Sequence, residues 1–374
     1  MTVSTFFLAP WALCRAPSNK MKNFAIIYSD KLKEYDLGHV LTHTRYQNFI
    51  DLFQAKLGDH PDFEIVEPPS AAHEDLRLIH TEEYIQRIER CEGRDPHDTP
   101  LSPGLVRAAK LLAGAGKHAG ELVQSGSIKK AFVIGGGVQH ANREREKGFG
   151  VFSDVGICAE NLLRNFGLER ILVIDTDAHA GDGLYEIFCG DPRVLFLSIH
   201  QDPRTVYPGK GFVHEIGVGQ GSGYSVNIPL FPGSTDKAYE YVLTEIFSPL
   251  AEEFRPEMIL MVDGSDPHFT DRITHMGMTL EGISSVGEVV GRAADEICQG
   301  KIVNFVGSGY SSNPQIVSLG WLASIVGVTG VEFRVEEPEP IPAELQSDQG
   351  LEAAKGVVHL IQAHLSPYWK CFAC

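Results

Sequence analysis

The segment Asp175-Thr176-Asp177-Ala178-His179-Ala180-Gly181-Asp182-Gly183 closes the apolar run RILVID and places three carboxylates and an imidazole within eight residues. In extended chain, positions two apart point to the same side, so Asp177 and His179 can grip one ion together. Oxygen plus imidazole ligands suit Zn²⁺ or Fe²⁺ better than Mg²⁺ or Ca²⁺. The same residues also read as a polar strand-to-helix turn with Asp as its cap. A second run, EMILMVDGSDPH, presents Asp263, Asp266 and His268. An acid from this run would add a third ligand and leave a fourth position open, as catalytic sites require; a turn at Ser265-Asp266-Pro267 is the plainer alternative. In KAFVIGGGVQHA the dinucleotide pattern GxGxxG fails, because His140 stands where the third glycine would fall. Those glycines instead let the backbone pass close to a reaction centre, with His140 as general base or simply as a structural histidine. In KIVNFVGSGYSSN, Tyr310 follows Gly307-Ser308-Gly309, where a phenol can meet a developing oxyanion or merely anchor a loop.

Each of these groups follows a short apolar run. Eight such runs read as strands: FAIIYS, FEIV, KAFVIGG, RILVID, VLFLSIH, YSVNIPL, EMILMVDG and KIVNFVGS. Several are nearly continuous in Val, Ile, Leu and Phe, as expected of strands covered on both faces. Helix-like stretches lie between and after them, among them Leu105–Val123, Ala159–Asn165, Tyr239–Phe254, Leu280–Ile297 and Leu351–Leu365. This alternation predicts an α/β fold, a single domain with a mostly parallel eight-stranded sheet and helices on both faces. Ligands gather at the carboxyl ends of strands in such sheets. Residues 23–374 form the expected domain; residues 1–22 read as a poorly structured extension, and Glu332–Gly350 as an acidic surface excursion.

The net charge of −17 argues against nucleic acid as the main partner, because phosphate contacts need basic clusters. No apolar run reaches the length of a membrane span. Seven scattered cysteines, with only Cys371 and Cys374 in C-x-x-C spacing, point to a reducing, cytoplasmic compartment. A homo-oligomer is left open.

From about Tyr28 to Val328 the chain resembles the zinc-dependent histone deacetylase family of the arginase–deacetylase fold, in its bacterial and archaeal form. The resemblance rests on YDLGH, HTEEYI, DTPLSP, GGGVQHA, GFGVFSD, DTDAHAGDG, LSIH, YPGKG, GYSVNIPL, the GSDPH turn and GSGY, in that order. It implies amide hydrolysis with Asp177, His179 and Asp266 as zinc ligands, His140 as base and acid, Asp182 orienting its ring and Tyr310 stabilising the oxyanion. It further implies Gly148, Phe149 and Tyr207 along the substrate stem and Asp98 at the rim. Two potassium sites follow by the same resemblance: an inner one at Asp175, Asp177, His179 and Ser198, and an outer one at Phe188, Asp191, Val194 and Tyr224. The implied substrate is an acetylated lysine in a peptide or protein, or an acetylated amine of small size.

Three departures qualify that expectation. Gln139 replaces the first of the family's two adjacent histidines, and an amide cannot exchange a proton near neutral pH. Ser308 interrupts the glycines before Tyr310 and is expected to stiffen it. Ala180 replaces a frequent second histidine. Ile273 falls where polyamine-selective relatives carry an acid, which favours an acyl-lysine stem. Alternatives are an acetylpolyamine or other small-molecule amidohydrolase, a weakened deacetylase-like binding protein, and an arginase-like manganese enzyme, for which the additional metal-loop ligands are missing.

Overall fold

The computed structural model describes residues 22–346 and 349–373. Nearly all of the expected extension, residues 1–21, therefore lies outside the described residues, as does Cys374 of the C-x-x-C pair. All eight expected strands form: β1 Phe24–Ile27, β2 Phe63–Val66, β3 Lys130–Ile134, β4 Ile171–Asp175, β5 Val194–Gln201, β6 Ser225–Leu230, β7 Met258–Gly264 and β8 Ile302–Ser308. They make one sheet in the order β2-β1-β3-β8-β7-β4-β5-β6. Every pairing is parallel, so the sheet is wholly parallel and not merely mostly so.

Every residue of β3, β4, β5 and β7 is buried, which requires cover on both faces. Neighbouring residues of β8 show it. Asn304 donates to Ser324 Oγ of the helix Pro314–Thr329 at 2.8 Å, whereas Phe305 packs on Gly116 of the helix Pro103–Gln124. Successive strand side chains point to opposite faces, so these two helices lie on opposite sides of the sheet.

The helices mostly extend the expected segments. Leu105–Val123 begins at Pro103, behind the Ser102 hydroxyl cap on the Leu105 N–H, and Ala159–Asn165 begins at Asp154. Tyr239–Phe254 is not one regular helix: Asp236–Val242 passes through a π-helical turn, Leu243–Phe247, into Ser248–Phe254. Glu332–Gly350 does more than skirt the surface. Glu337 pairs with the buried His268 at 2.9 Å and accepts the Leu280 N–H, and Glu339 accepts from Asn313. Among the described residues, no helix is long and apolar enough to cross a membrane.

The strand order has one functional consequence. β3, β8, β7 and β4 are consecutive in space, so the loops leaving their carboxyl ends share one rim of the sheet.

Candidate metal centre and catalytic site

β4 ends at Asp175, and the chain then turns sharply instead of running on extended. Asp177 and His179 are nonetheless brought together, by a turn in which the His179 N–H donates to Asp177 Oδ1 at 2.7 Å. Two residues past β7, Asp266 joins them. His179 Nδ1 lies 3.1 Å from Asp177 Oδ1 and 3.0 Å from Asp266 Oδ2. The three side chains are buried, and each offers a ligating atom within 4.8 Å of the others. Of the three candidates on the β7 run, only Asp266 joins the cluster. Asp263 turns back to the Thr176 hydroxyl and the Gly264 N–H, and His268 is held by Thr270 and Glu337.

The electrostatics of this triad are those of a cation holder. Burial and the charge of Asp177 push the Asp266 carboxyl up to about 8. Burial alone would lower the His179 imidazole, but Asp177 and Asp266 outweigh it and raise it to about 10. Two carboxylates and an imidazole thus crowd one buried point and hold protons that a divalent cation would replace. The donor set of two oxygens and one nitrogen fits zinc, and two of its members, Asp177 and His179, line the cavity.

Asp266 is oriented from behind. Its Oδ1 accepts the Ser308 hydroxyl at 2.7 Å and the Ala178 N–H at 3.3 Å, which leaves Oδ2 for a metal. Ser308, expected from sequence to stiffen Tyr310, therefore directs its hydroxyl to the Asp266 carboxylate of the candidate metal triad.

His140 approaches from the β3 side. Its Nδ1 is 2.9 Å from Asp182 Oδ1, and both side chains are almost fully buried. The turn that carries Gln139 and His140 is set by Asp154, which sequence reasoning did not single out. Its carboxylate accepts the N–H groups of Gly137, Val138 and Val155, each at 2.9 Å. Burial pushes this carboxyl from the usual 3.8 up to about 6 in spite of those donors. A group whose proton affinity is higher folded than unfolded stabilises the fold most below its unfolded pKa, and that share is lost as pH rises through its folded pKa. Asp154 thus contributes about 3 kcal/mol of pH-dependent stability, from 1.36 kcal/mol per pH unit, that is present below about pH 4 and gone above about pH 6. Asp154→Asn is expected to flatten the stability curve between those values, measured by urea unfolding. It should also lower stability at neutral pH by about 1–3 kcal/mol, because its NH₂ would face a backbone donor.

Tyr310 enters from β8. Its N–H donates to Asp271 Oδ2 at 2.7 Å, its ring meets Phe149 edge-on at 5.8 Å, and the Arg45 guanidinium lies 5.3 Å from the ring centroid. Burial, with the nearby carboxylates of Asp177, Asp266 and Asp271, pushes the phenol well above 10, so it stays a hydrogen-bond donor. Arg45 and Asp271 were not candidates from sequence; each fixes this loop through backbone contacts, Arg45 by donating to the Gly307 and Gly309 carbonyls.

A cavity of about 440 Å³ joins these groups, lined by Gln139, His140, Phe149, Tyr207, Ile273 and Tyr310 among others. Gly148 lies against the His140 ring, where a Cβ would overlap the imidazole, and its φ of +55° suits glycine. Tyr207 stands edge-on to His140 at 5.0 Å. Asp98 also lines the cavity, but its Oδ2 is partly spent on the Phe149 N–H and the Thr99 hydroxyl. Of the inner potassium set, Asp175 and Ser198 are fully buried and 3.4 Å apart. In the outer set, the Phe188, Asp191 and Tyr224 carbonyls each already accept one backbone N–H, and the Asp191 carboxylate is held by Arg193.

A parallel α/β sheet that gathers a buried carboxylate–imidazole triad, a His–Asp pair and a phenol at its carboxyl rim is the framework of a hydrolase. The histone deacetylase domain matches residues 39–326, and the chain belongs to that family. It is 37% identical to a probable deacetylase of Archaeoglobus fulgidus over 317 residues, covering 82% of this chain and 87% of the relative. It is 31% identical to the acetoin utilization protein AcuC of Bacillus subtilis over 332 residues, covering 85% of each chain. The crystal structure of the HDA15 HD domain shares the fold with a TM-score of 0.81 at 22% identity, over 94% of this chain and 97% of that one.

Proposed function

We propose that this chain removes acetyl or related acyl groups from lysine side chains, with zinc held by Asp177, His179 and Asp266. The observation that carries the reading is the convergence of two members of that triad, Asp177 and His179, with His140 and Tyr310 in one aromatic-lined cavity. Bound zinc would supply Lewis acidity to the acyl carbonyl and to a water molecule. His140 takes the proton of the attacking water and returns one to the leaving amine, while Asp182 fixes its ring through Nδ1. The Tyr310 phenol donates to the oxyanion, and Phe149 and Tyr207 enclose an uncharged acyl-lysine stem. Potassium beside Asp175 and Ser198 is part of the same reading. The support is the raised proton affinity of Asp175, caused by burial and then by the charge of Asp177, which a monovalent cation would relieve.

The test is acetate release by zinc-loaded protein from an acetyl-lysine peptide, compared with acetylputrescine. Turnover of the peptide with hydroxamate inhibition is expected; turnover of acetylputrescine alone would move the substrate to small amines. The apolar Ile273 in the cavity wall favours the peptide. A second reading, a weakened deacetylase-like binding protein, is favoured by one observation: Gln139 lines the cavity where a second imidazole would exchange protons. Gln139→His is expected to raise kcat about 10-fold to 10²-fold if the site is weakened. A fall in kcat would show that the amide belongs to this enzyme's own chemistry.

A further inference from the structure

We propose that Lys147 is a positioning residue that locks the proton-transfer imidazole and the aromatic wall of the acyl pocket into one unit. This inference rests on the reading of His140 as the proton-transfer group. The two oxygens of Asp182 are divided: Oδ1 meets His140 Nδ1 at 2.9 Å, and Oδ2 meets the Lys147 ammonium. Asp182 is buried and the Lys147 side chain is only 15% exposed, so solvent screens this pair weakly. The nearby ammonium of Lys210 is engaged by Glu186 at 2.8 Å.

Lys147 also begins a tight turn. Its N–H donates to the Gly150 carbonyl at 3.0 Å and its carbonyl accepts the Gly150 N–H at 2.9 Å. The two residues between them, Gly148 and Phe149, have φ of +55° and +66°. A two-residue turn with both central residues left-handed is the type I′ hairpin, and a phenylalanine there costs on the order of 1–2 kcal/mol. Phe149 is held against that cost: its N–H donates to Asp98, and its carbonyl accepts the Tyr35 hydroxyl at 2.8 Å. Gly148 lies so close to the His140 ring that a Cβ there would overlap it. One ammonium therefore anchors both the carboxylate that orients His140 and the hairpin that presents Phe149. With Gln139 beside it, His140 has no second imidazole to compensate for a misplaced ring.

The experiment compares Lys147→Met and Lys147→Arg in the full, zinc-loaded chain. It reads kcat and KM on an acetyl-lysine peptide, and the low-field N–H resonance of His140 in ¹⁵N-histidine-labelled protein, assigned by its loss in His140→Ala. Lys147→Met is expected to lower kcat about 10-fold to 10²-fold, as misplacement of a reacting group by up to about 1 Å does, with KM within about threefold and the N–H resonance lost. Lys147→Arg is expected to recover kcat to within about threefold and to keep the resonance. An unchanged kcat and resonance in Lys147→Met would overturn the proposal. So would a Lys147→Arg protein that folds yet is as slow as Lys147→Met. If the unaltered chain released no acetate, the deacetylase reading would fail, while the resonance comparison would still decide the role of Lys147.

Discussion

His140→Ala is expected to lower kcat by about 10²- to 10⁴-fold while zinc remains at one equivalent per chain. Gln139 presents an amide to the cavity and can hold a hydrogen bond there, but it cannot carry a proton. All proton transfer in the proposed reaction therefore falls on one imidazole, whose Nδ1 is committed to Asp182 at 2.9 Å. Nε2 is then the nitrogen left to face substrate and water. Because His140 is outside the metal triad, its loss should not release the ion. Steady-state kinetics and bound-metal analysis on the same preparation check both halves. A variant retaining more than a tenth of the original kcat would mean that another group is the base.

Asp266→Asn is expected to weaken zinc binding by more than 10²-fold, beyond the 10- to 100-fold that loss of a supporting hydrogen bond behind a metal ligand costs. The amide is isosteric, and keeping its oxygen on the Ser308 hydroxyl and the Ala178 N–H turns its non-ligating NH₂ toward the metal position, so the variant removes the ligating oxygen and its charge without changing the side chain's shape. Its effect on the metal-free fold should have the opposite sign. Without a cation, burial and Asp177 make an ionised Asp266 unfavourable, which is why its carboxyl is pushed up to about 8. The metal-free variant is accordingly expected to be at least as thermostable as the metal-free parent, whereas only the parent gains Tm on adding zinc. Calorimetric titration and thermal melts with and without zinc provide the two measurements. Zinc affinity equal to that of the parent would remove Asp266 from the ligand set.

The legible part of this site is the part written in short segments. Asp177, His179 and Asp182 lie within six residues of one another, and His140 and Tyr310 each directly follow a strand with its glycines. Spacing alone leaves Asp263 and Asp266 both open as the third ligand, because a strand end does not reveal which side chains turn back into the core; the core takes Asp263, and Glu337 takes His268. Supporting residues were invisible for a related reason. Asp154 acts on Gly137 and Val138, Ser308 on Asp266, and Lys147 on Asp182, each across 16 or more residues of sequence. The helix Pro314–Thr329 was not singled out, since it is apolar on nearly all sides and shows no amphipathic period.

By itself, the sequence determined which reactive groups this protein owns and that each stands at the carboxyl end of a strand, because apolar runs and their polar termini are local patterns. Only the tertiary structure decided that β3, β8, β7 and β4 are neighbours, and so that groups as far apart as His140 and Tyr310 share one cavity. Strand order depends on which helices cover which face, and the direction of each side chain depends on packing from elements far away in the chain. Neither quantity is contained in any single segment.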